Sequence, residues 1–334
     1  MYFDIAMPLT LCAVTLAALF LNGKAENRLK STLQKREFRF RDTALLIAAM
    51  GITVSIAVFI PSRAITALFL FAYSMLLSIF TYLFSDLSKT MAELFCGAFL
   101  TASLAAAIAS FFNLGVEGTA FYGTLAFAVL SSLACTALVY EHRRANMKER
   151  WYLTVFPPAL FVCLYLFFGN TAIWLPYLLD LYAITFAVLI TLYLGSLFNW
   201  KTTLFFIGFI TVLDIILVLV TRTMVEAADT AINLGLPVMV AVPIIPFIIT
   251  PEGIILNFLG LGDFFFAGLI AIQTFKKYGR DSAIFAVASM TVSFFVFEVI
   301  TLNYRIGAFP GTLMIICGWV ALMLIKTLRK MLAH

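Results

Sequence analysis

Eleven stretches of this chain are apolar for long enough to cross roughly 30 Å of hydrocarbon. They are residues 4–22, 43–60, 64–84, 94–113, 118–140, 152–169, 178–198, 203–221, 253–275, 282–300 and 312–326. In lipid a spanning segment must satisfy its own backbone hydrogen bonds, so each stretch is expected to be a helix and the chain an all-α polytopic membrane protein of about eleven transmembrane helices. Composition agrees: 12% of residues are charged and mean hydropathy is +1.06, whereas water-soluble domains carry roughly 25% charged residues. The first stretch has no basic segment before it and no small-residue cleavage site after it, so it is expected to remain as a span. No low-complexity tract, long linker or repeat interrupts the pattern.

The basic residues orient the predicted helices. With the N-terminus outside, nineteen of the 22 Lys and Arg residues fall on the cytoplasmic side, in Lys24–Arg41, at Lys89, in Arg143–Arg150, at Lys201, in Lys276–Arg280 and in Lys326–Lys330. Arg63, Arg222 and Arg305 remain outside. That asymmetry predicts a cell-membrane protein with an external N-terminus and a cytoplasmic C-terminus. It also accounts for the net charge of +5 without a nucleic-acid partner.

One stretch resists assignment. Leu236–Thr250 reads LPVMVAVPIIPFIIT, is only 15 residues long and carries Pro237, Pro243 and Pro246. Proline breaks a helix interior, and a crossing here would send the later basic clusters outside. The stretch is therefore expected not to span. Its Val-rich half, Pro237–Val242, has the β-branched content of a short strand, and irregular backbone at membrane depth is tolerated only inside protein or at a water-filled cavity.

Histidine and cysteine counts exclude several chemistries. The only histidines are His142 and His334, so no His cluster can hold a metal within the apolar stretches and no Ser/His pair can form there. The five cysteines, Cys12, Cys96, Cys135, Cys163 and Cys317, are far apart, form no C-x-x-C and read as small core residues.

The acids are more informative. Of 17 Asp and Glu residues, twelve, Asp4 among them, fall in or near loops. Asp180, Glu252 and Glu298 are expected within a turn of an outer helix end, in reach of water. Asp214, in FITVLDIILVL, and Asp263, in NFLGLGDFFFAGL, lie near the middle of their apolar stretches with no basic residue in either. A charged side chain at mid-membrane costs roughly 2.5 kcal/mol or more and marks function by default. Two such acids on consecutive spans are expected to face each other. Like charges at close range cannot both ionise, so the pair would share one proton and leave one carboxylate to activate water. That is the chemistry of an aspartic protease, with one group as general base and the other as general acid. Gly260 and Gly262 remove side chains beside Asp263, letting another backbone approach.

From Asp214, through the apolar LGLPVMVAVP of Leu234–Pro243, to the GLGD of Gly260–Asp263 and a proline before the last span, the order resembles the presenilin and signal peptide peptidase family of GxGD intramembrane aspartyl proteases in its archaeal or microbial form. The likeness covers about residues 203–326. Leu213 stands where the family usually has Tyr before the first Asp, and Pro310-Gly311-Thr312 stands where it has Pro-Ala-Leu. The resemblance implies a nine-helix core with two extra N-terminal helices, here residues 1–95 holding the extra pair and a basic cytoplasmic loop and residues 96–334 the core. It implies Asp214 and Asp263 as catalytic residues, and Gly260, Leu261, Gly262, Pro237, Val238, Val240, Pro310, Gly311 and Thr312 as substrate contacts. No cofactor or metal is expected. The expected partners are the lipid bilayer and substrates that are transmembrane helices or leftover signal peptides, with type II orientation favoured. The rival reading is a proton-coupled transporter or channel using the same two acids, although an interrupted segment is found only in the C-terminal half. A prepilin-type GxGD peptidase would need a cytoplasmic cysteine-rich zinc loop and fewer helices.

Overall fold

Each of the eleven apolar stretches carries a helix in the computed structural model, which describes residues 3–32, 37–57, 59–143, 150–247, 249–250, 253–304 and 307–332. The helices are α1 (Ala6–Thr32), α2 (Phe40–Ala57), α3 (Ser62–Leu83), α4 (Lys89–Phe111), α5 (Ala120–Arg143), α6 (Phe156–Phe168), α7 (Leu179–Gly195), α8 (Trp200–Ile215), α9 (Thr223–Asn233), α10 (Leu261–Tyr278), α11 (Arg280–Tyr304) and α12 (Gly311–Leu332). Among the described residues, nine helical segments are long and apolar enough to cross a membrane. The protein is thus a helical, multi-pass membrane protein. Glu252 and Arg305 lie outside the described residues.

Four short strands add to the helices: β1 (Met239–Pro243), β2 (Ile249–Thr250), β3 (Gly253–Ile254) and β4 (Leu256–Gly260). β1 pairs antiparallel with β4 from Met239↔Gly260 to Pro243↔Leu256, and β2 pairs antiparallel with β3. The strand expected over Pro237–Val242 is present, shifted by two residues at its start. The helix expected from residue 253 is not, because that run starts as strand and becomes helical only at Leu261. The sequence Gly253–Gly260 is a short apolar run between glycines, whose periodicity does not separate strand from buried helix.

The chain divides into two compact units. The first holds residues 1–60, 180–233 and 237–334; the second holds 61–179 and 234–236. A boundary at residue 95 therefore matches neither, since α3 and α4 pack with α5 and α6 in the second unit.

In the first unit α10 is the central helix, packed against α1, α8, α11 and α12 and buried continuously from Phe264 to Thr274. Small residues let its neighbours approach. A Cβ on Gly268 would fall 2.4 Å from Thr191 Cγ2 of α7. Between α11 and α12, Ser289 Oγ donates to the Gly318 carbonyl and Ser293 Oγ to the Met314 carbonyl, both at 2.7 Å. In hydrocarbon such contacts replace the hydrophobic drive that water supplies elsewhere. One end of this unit is basic. Glu26 of α1 meets Lys276 at 2.9 Å and Lys30 at 2.7 Å, Lys277 lies 4.2 Å from the Trp200 ring centre, and Lys326 donates to Ser282 at 2.6 Å.

In the second unit, α4 and α5 meet through small side chains, with Ala92, Cys96, Ser103, Ala106 and Ala107 buried on one helix and Gly123, Ser131, Ala134 and Ala137 on the other. Trp174 is fully buried and donates Nε1–H to the Gly235 carbonyl at 2.7 Å, whereas Trp151, Tyr177 and Tyr304 are exposed. Arg150 Nε meets Glu141 Oε2 at 3.0 Å with both side chains almost wholly buried, and Arg150 also donates to the Leu87 carbonyl while the Tyr152 hydroxyl donates to Glu141. Removing one partner of a buried ion pair leaves an uncompensated charge. Arg150→Met is therefore expected to destabilise the protein by about 3–5 kcal/mol, with Glu141→Gln/Arg150→Met recovering part of the loss, as thermal unfolding in detergent would measure.

Candidate functional site

The inward stripe of α8 runs through Thr203, Ile207, Ile210 and on to Leu217, all buried. Asp214 lies on that stripe, four residues beyond Ile210, which is why a helix of this register turns the acid inward. An Asn199 capping box starts the helix: Asn199 Oδ1 accepts the Thr202 N–H at 3.0 Å, and Thr202 Oγ1 accepts the Asn199 N–H at 3.1 Å. A π-helical turn over Ile216–Val220 follows directly after it. Asp214 is thus within a continuous helical span, as expected.

Asp263 arrives by a different route. β4 ends at Gly260, the Leu261 N–H is held by the Val238 carbonyl at 3.0 Å, and α10 begins. Asp263 is therefore the third residue of a helix, in its first turn, rather than the middle of a span. Gly262 has open space where a Cβ would stand, and a Cβ on Gly260 would lie 3.5 Å from Asp263 Oδ2.

The two acids meet at the N-terminus of α12. Thr312 donates to Asp214 Oδ2 twice, from its Oγ1 at 2.6 Å and its backbone N–H at 3.3 Å. Backbone donors in a first helical turn have no partner within the helix, so α12 has one to offer. The preceding residue supports the other acid: a Cβ on Gly311 would fall 2.5 Å from Asp263 Oδ1 and 2.8 Å from its Oδ2. No side chain fits there unless Asp263 moves. Asp214 and Asp263 lie within electrostatic reach of each other and line one cavity of about 80 Å³, walled by Met50 and Val54 of α2, Phe206 and Ile210 of α8, and Met224 of α9.

A second cavity, of about 290 Å³, opens on the other side of Asp263. It lies between β4, the second half of α11 and the segment Gly307–Met314, and Gly260, Asp263 and Gly311 border it. The strand pairing determines which backbone groups face it. Leu261 N–H bonds Val238 C=O and Ile244 N–H bonds Ile255 C=O, so by alternation the groups of Asn257 and Leu259 also point toward β1. Those of Phe258 point away, along the free edge of β4, and no hydrogen bond among the described residues takes up its N–H. On the opposite edge of β1, Ala241 N–H donates to Asp180 Oδ1 of α7 at 2.6 Å.

The expected substrate contacts therefore divide. Gly260, Gly262, Gly311 and Thr312 gather with the two acids. Pro237, Val238, Val240, Leu261 and Pro310 border neither cavity. Val238 and Val240 are committed to the β1–β4 ladder, and Val240 is fully buried. They support the strand beside the site instead of offering an edge of their own. Sequence reasoning missed β4 as a strand, the apolar wall from α2, and Asp4 and Glu298, which are buried rather than water-exposed. No protein-family model matches the chain, and no curated protein matches it in sequence.

Two substitutions probe the α12 terminus. Thr312→Val removes the shorter bond to Asp214 and is expected to cost about 1.5–3 kcal/mol, as for a bond to a charged acceptor, while Thr312→Ser should be silent in thermal unfolding. Gly311→Ala should cost about 1–3 kcal/mol as an overpacking change. Most of that cost should vanish in an Asp263→Gly background, since the obstructing atoms belong to Asp263.

Proposed function

We propose that this protein is an intramembrane aspartyl endopeptidase of the presenilin and signal peptide peptidase type. The observation that carries the reading is the pair of carboxyl groups brought to one small cavity by the end of α8 and the start of α10, with the α12 terminus seated on both. Eleven crossings with an external N-terminus are part of the proposal. The gathering of Glu26, Lys276, Trp200 and Lys326 at one end supports it, because the segments that carry them are those the charge asymmetry assigns to the cytoplasm.

The residues divide the work as follows. Hydrogen bonds to a carboxylate favour its charged form, and Asp214 receives both bonds from Thr312. Asp214 is the general base: it takes a proton from water as the water oxygen attacks the scissile carbonyl carbon. Asp263 holds the shared proton and gives it to the developing oxyanion. When the tetrahedral intermediate collapses, the C–N bond breaks, the amide nitrogen leaves with the proton Asp214 gained, and one hydroxyl of the gem-diol returns its proton to Asp263 as the C=O of the new acid forms. Gly311 leaves room for the Asp263 carboxyl, and the apolar wall of α2 and α8 limits access of other water.

A transmembrane helix shields its scissile bond within its own hydrogen bonds, so it must unwind, and the unwound backbone needs new partners. The free edge of β4 offers them beside Asp263, by strand addition. The substrate strand is assigned to the Phe258 edge rather than to β1, because β4 borders the cavity that Asp263 lines and β1 does not. A transporter would use two midplane acids equally well, but an open strand edge next to them has no role in ion binding. The charge asymmetry places the loop between the two acids outside, which favours substrates with cytoplasmic N-termini.

Purified protein should cleave transmembrane peptides. Either Asp214→Asn or Asp263→Asn should lower turnover by roughly 10⁴-fold, because acid and base act as a unit, and appreciable turnover by either variant would refute the mechanism. Phe258→Pro deletes an N–H that has no partner among the described residues. It should lower kcat/KM by about 2- to 10-fold, the worth of one hydrogen bond, with thermal stability little changed. A C-terminal tag should be reached only from the cytoplasmic side.

A further inference from the structure

The 290 Å³ cavity has a second acidic corner, away from Asp263. Asp4, fully buried, has both oxygens satisfied: Oδ1 accepts the Ala6 N–H at 2.9 Å and the Ile245 N–H at 3.0 Å, and Oδ2 accepts Asn257 Nδ2 at 3.0 Å. The same Asn257 amide donates to Glu298 Oε1 of α11. Both of its hydrogens are then used. Glu298 is 5% exposed, borders the cavity, and its Oε2 is buried with no hydrogen-bond partner. No Lys, Arg or His among the described residues pairs with either acid.

Asp4 and Asn257 suffice to tie residues 4–6 to the β1–β4 pair. That tie uses one oxygen of Glu298 and leaves the other idle in a place where an unmet acceptor costs about 1–3 kcal/mol, and more when charged. An idle acceptor on a carboxyl that borders a cavity can be met by a donor from outside the protein once the carboxyl turns toward the cavity. The cavity runs along the free edge of β4, with Glu298 bonded to Asn257 at one end and Asp263 beside Gly260 at the other. A strand added to this edge would pass the idle oxygen within a few residues of the bond presented to Asp263, since Asn257 and Gly260 are three positions apart.

We infer that Glu298 determines substrate specificity: it selects a hydrogen-bond-donating side chain, best a basic one, carried two to four residues from the scissile bond on the segment lying along β4. The inference rests on the endopeptidase reading for its use of the word scissile, but not for the binding it describes. A cation neutralises the corner made by two acids, and an amide or hydroxyl donor fills Oε2 without neutralising it. A leucine does neither and leaves the acceptor unmet, which is the situation in which polar sites discriminate most strongly.

The test takes one transmembrane peptide and scans Leu, Gln and Lys through the four residues on each side of its cleavage position. Cleavage is read with the intact protein, and affinity is read by photo-crosslinking to the Asp263→Asn variant. At one position Lys and Gln should exceed Leu by about tenfold or more in kcat/KM and in affinity. Glu298→Leu should abolish or reverse that preference, and Glu298→Gln should lose the advantage of Lys while keeping that of Gln. Should Glu298→Leu fail to fold, the Glu298→Gln comparison decides alone. Selective binding without cleavage would overturn the endopeptidase reading and uphold the role of Glu298. Cleavage with the same profile in wild type and Glu298 variants would overturn that role and leave the endopeptidase standing, as would a cavity that holds only water and binds all peptides equally. Neither selective binding nor cleavage would overturn both.

Discussion

A backbone N–H or C=O without a partner costs several kcal/mol in hydrocarbon, and the region around the two acids is arranged by that cost. Where the chain leaves the helix, between α9 and α10, several of these groups find partners among the described residues. β1 takes β4, Val238 takes the Leu261 N–H, and Ala241 gives its outward N–H to Asp180. The outward N–H of Phe258 has no hydrogen-bond partner among the described residues, and that edge borders a cavity. β4 rather than β1 borders that cavity, so the outer edge of β4 is the one that lies beside Asp263.

Much of this was legible in the sequence, for reasons that can be traced. Asp214 announced itself because a charge in the apolar stretch 203–221 has no cheap alternative, and the helical repeat carried it onto the buried stripe of Ile207 and Ile210. The prolines of Leu236–Thr250 made a spanning helix untenable, and Val238, Val240 and Val242 then favoured a strand. β4 was hidden for the opposite reason. In Gly253–Gly260 hydrophobicity is continuous with the helix that follows, so length suggested one helix of 23 residues, and only tertiary pairing with β1 separates the two. Asp4 and Glu298 were placed near water because they sit near the ends of apolar runs. Burial there depends on Asn257, 253 residues from Asp4, which no local pattern reports.

The α12 terminus gives a physical account of the positions at which the sequence differs from the Pro-Ala-Leu of the family it resembles. At position 311 the Asp263 carboxyl occupies the volume a Cβ would need, so the small alanine of Pro-Ala-Leu would already be too large for this arrangement. At position 312 a leucine could not donate to Asp214, whereas Thr312 does so from its side chain as well as its backbone. The two differences compensate one region. A glycine lets the helix terminus approach Asp263 closely, and that approach brings residue 312 within hydrogen-bond distance of Asp214. Leu213, where Tyr is usual, instead packs beside Gly51 of α2, where an added Cβ would come within 3.3 Å of it.

Helix interiors are poor places for chemistry in a membrane, because their polar backbone groups are already spent. Ends are different: the first turn of a helix has free N–H groups and the last turn free carbonyls. Each part of the site stands at such an end or beside a break. Asp214 precedes a π-helical turn, Asp263 is in the first turn of α10 after a strand, and Gly311 and Thr312 open α12. Three interruptions of otherwise apolar helices thus converge, and each would be a liability if it faced lipid. Brought together they satisfy one another's donors and acceptors, leave two carboxyl groups with one apolar cavity between them, and keep a strand edge free alongside. Irregular backbone is thus concentrated where the two acids meet, and its groups are met there by protein rather than by lipid.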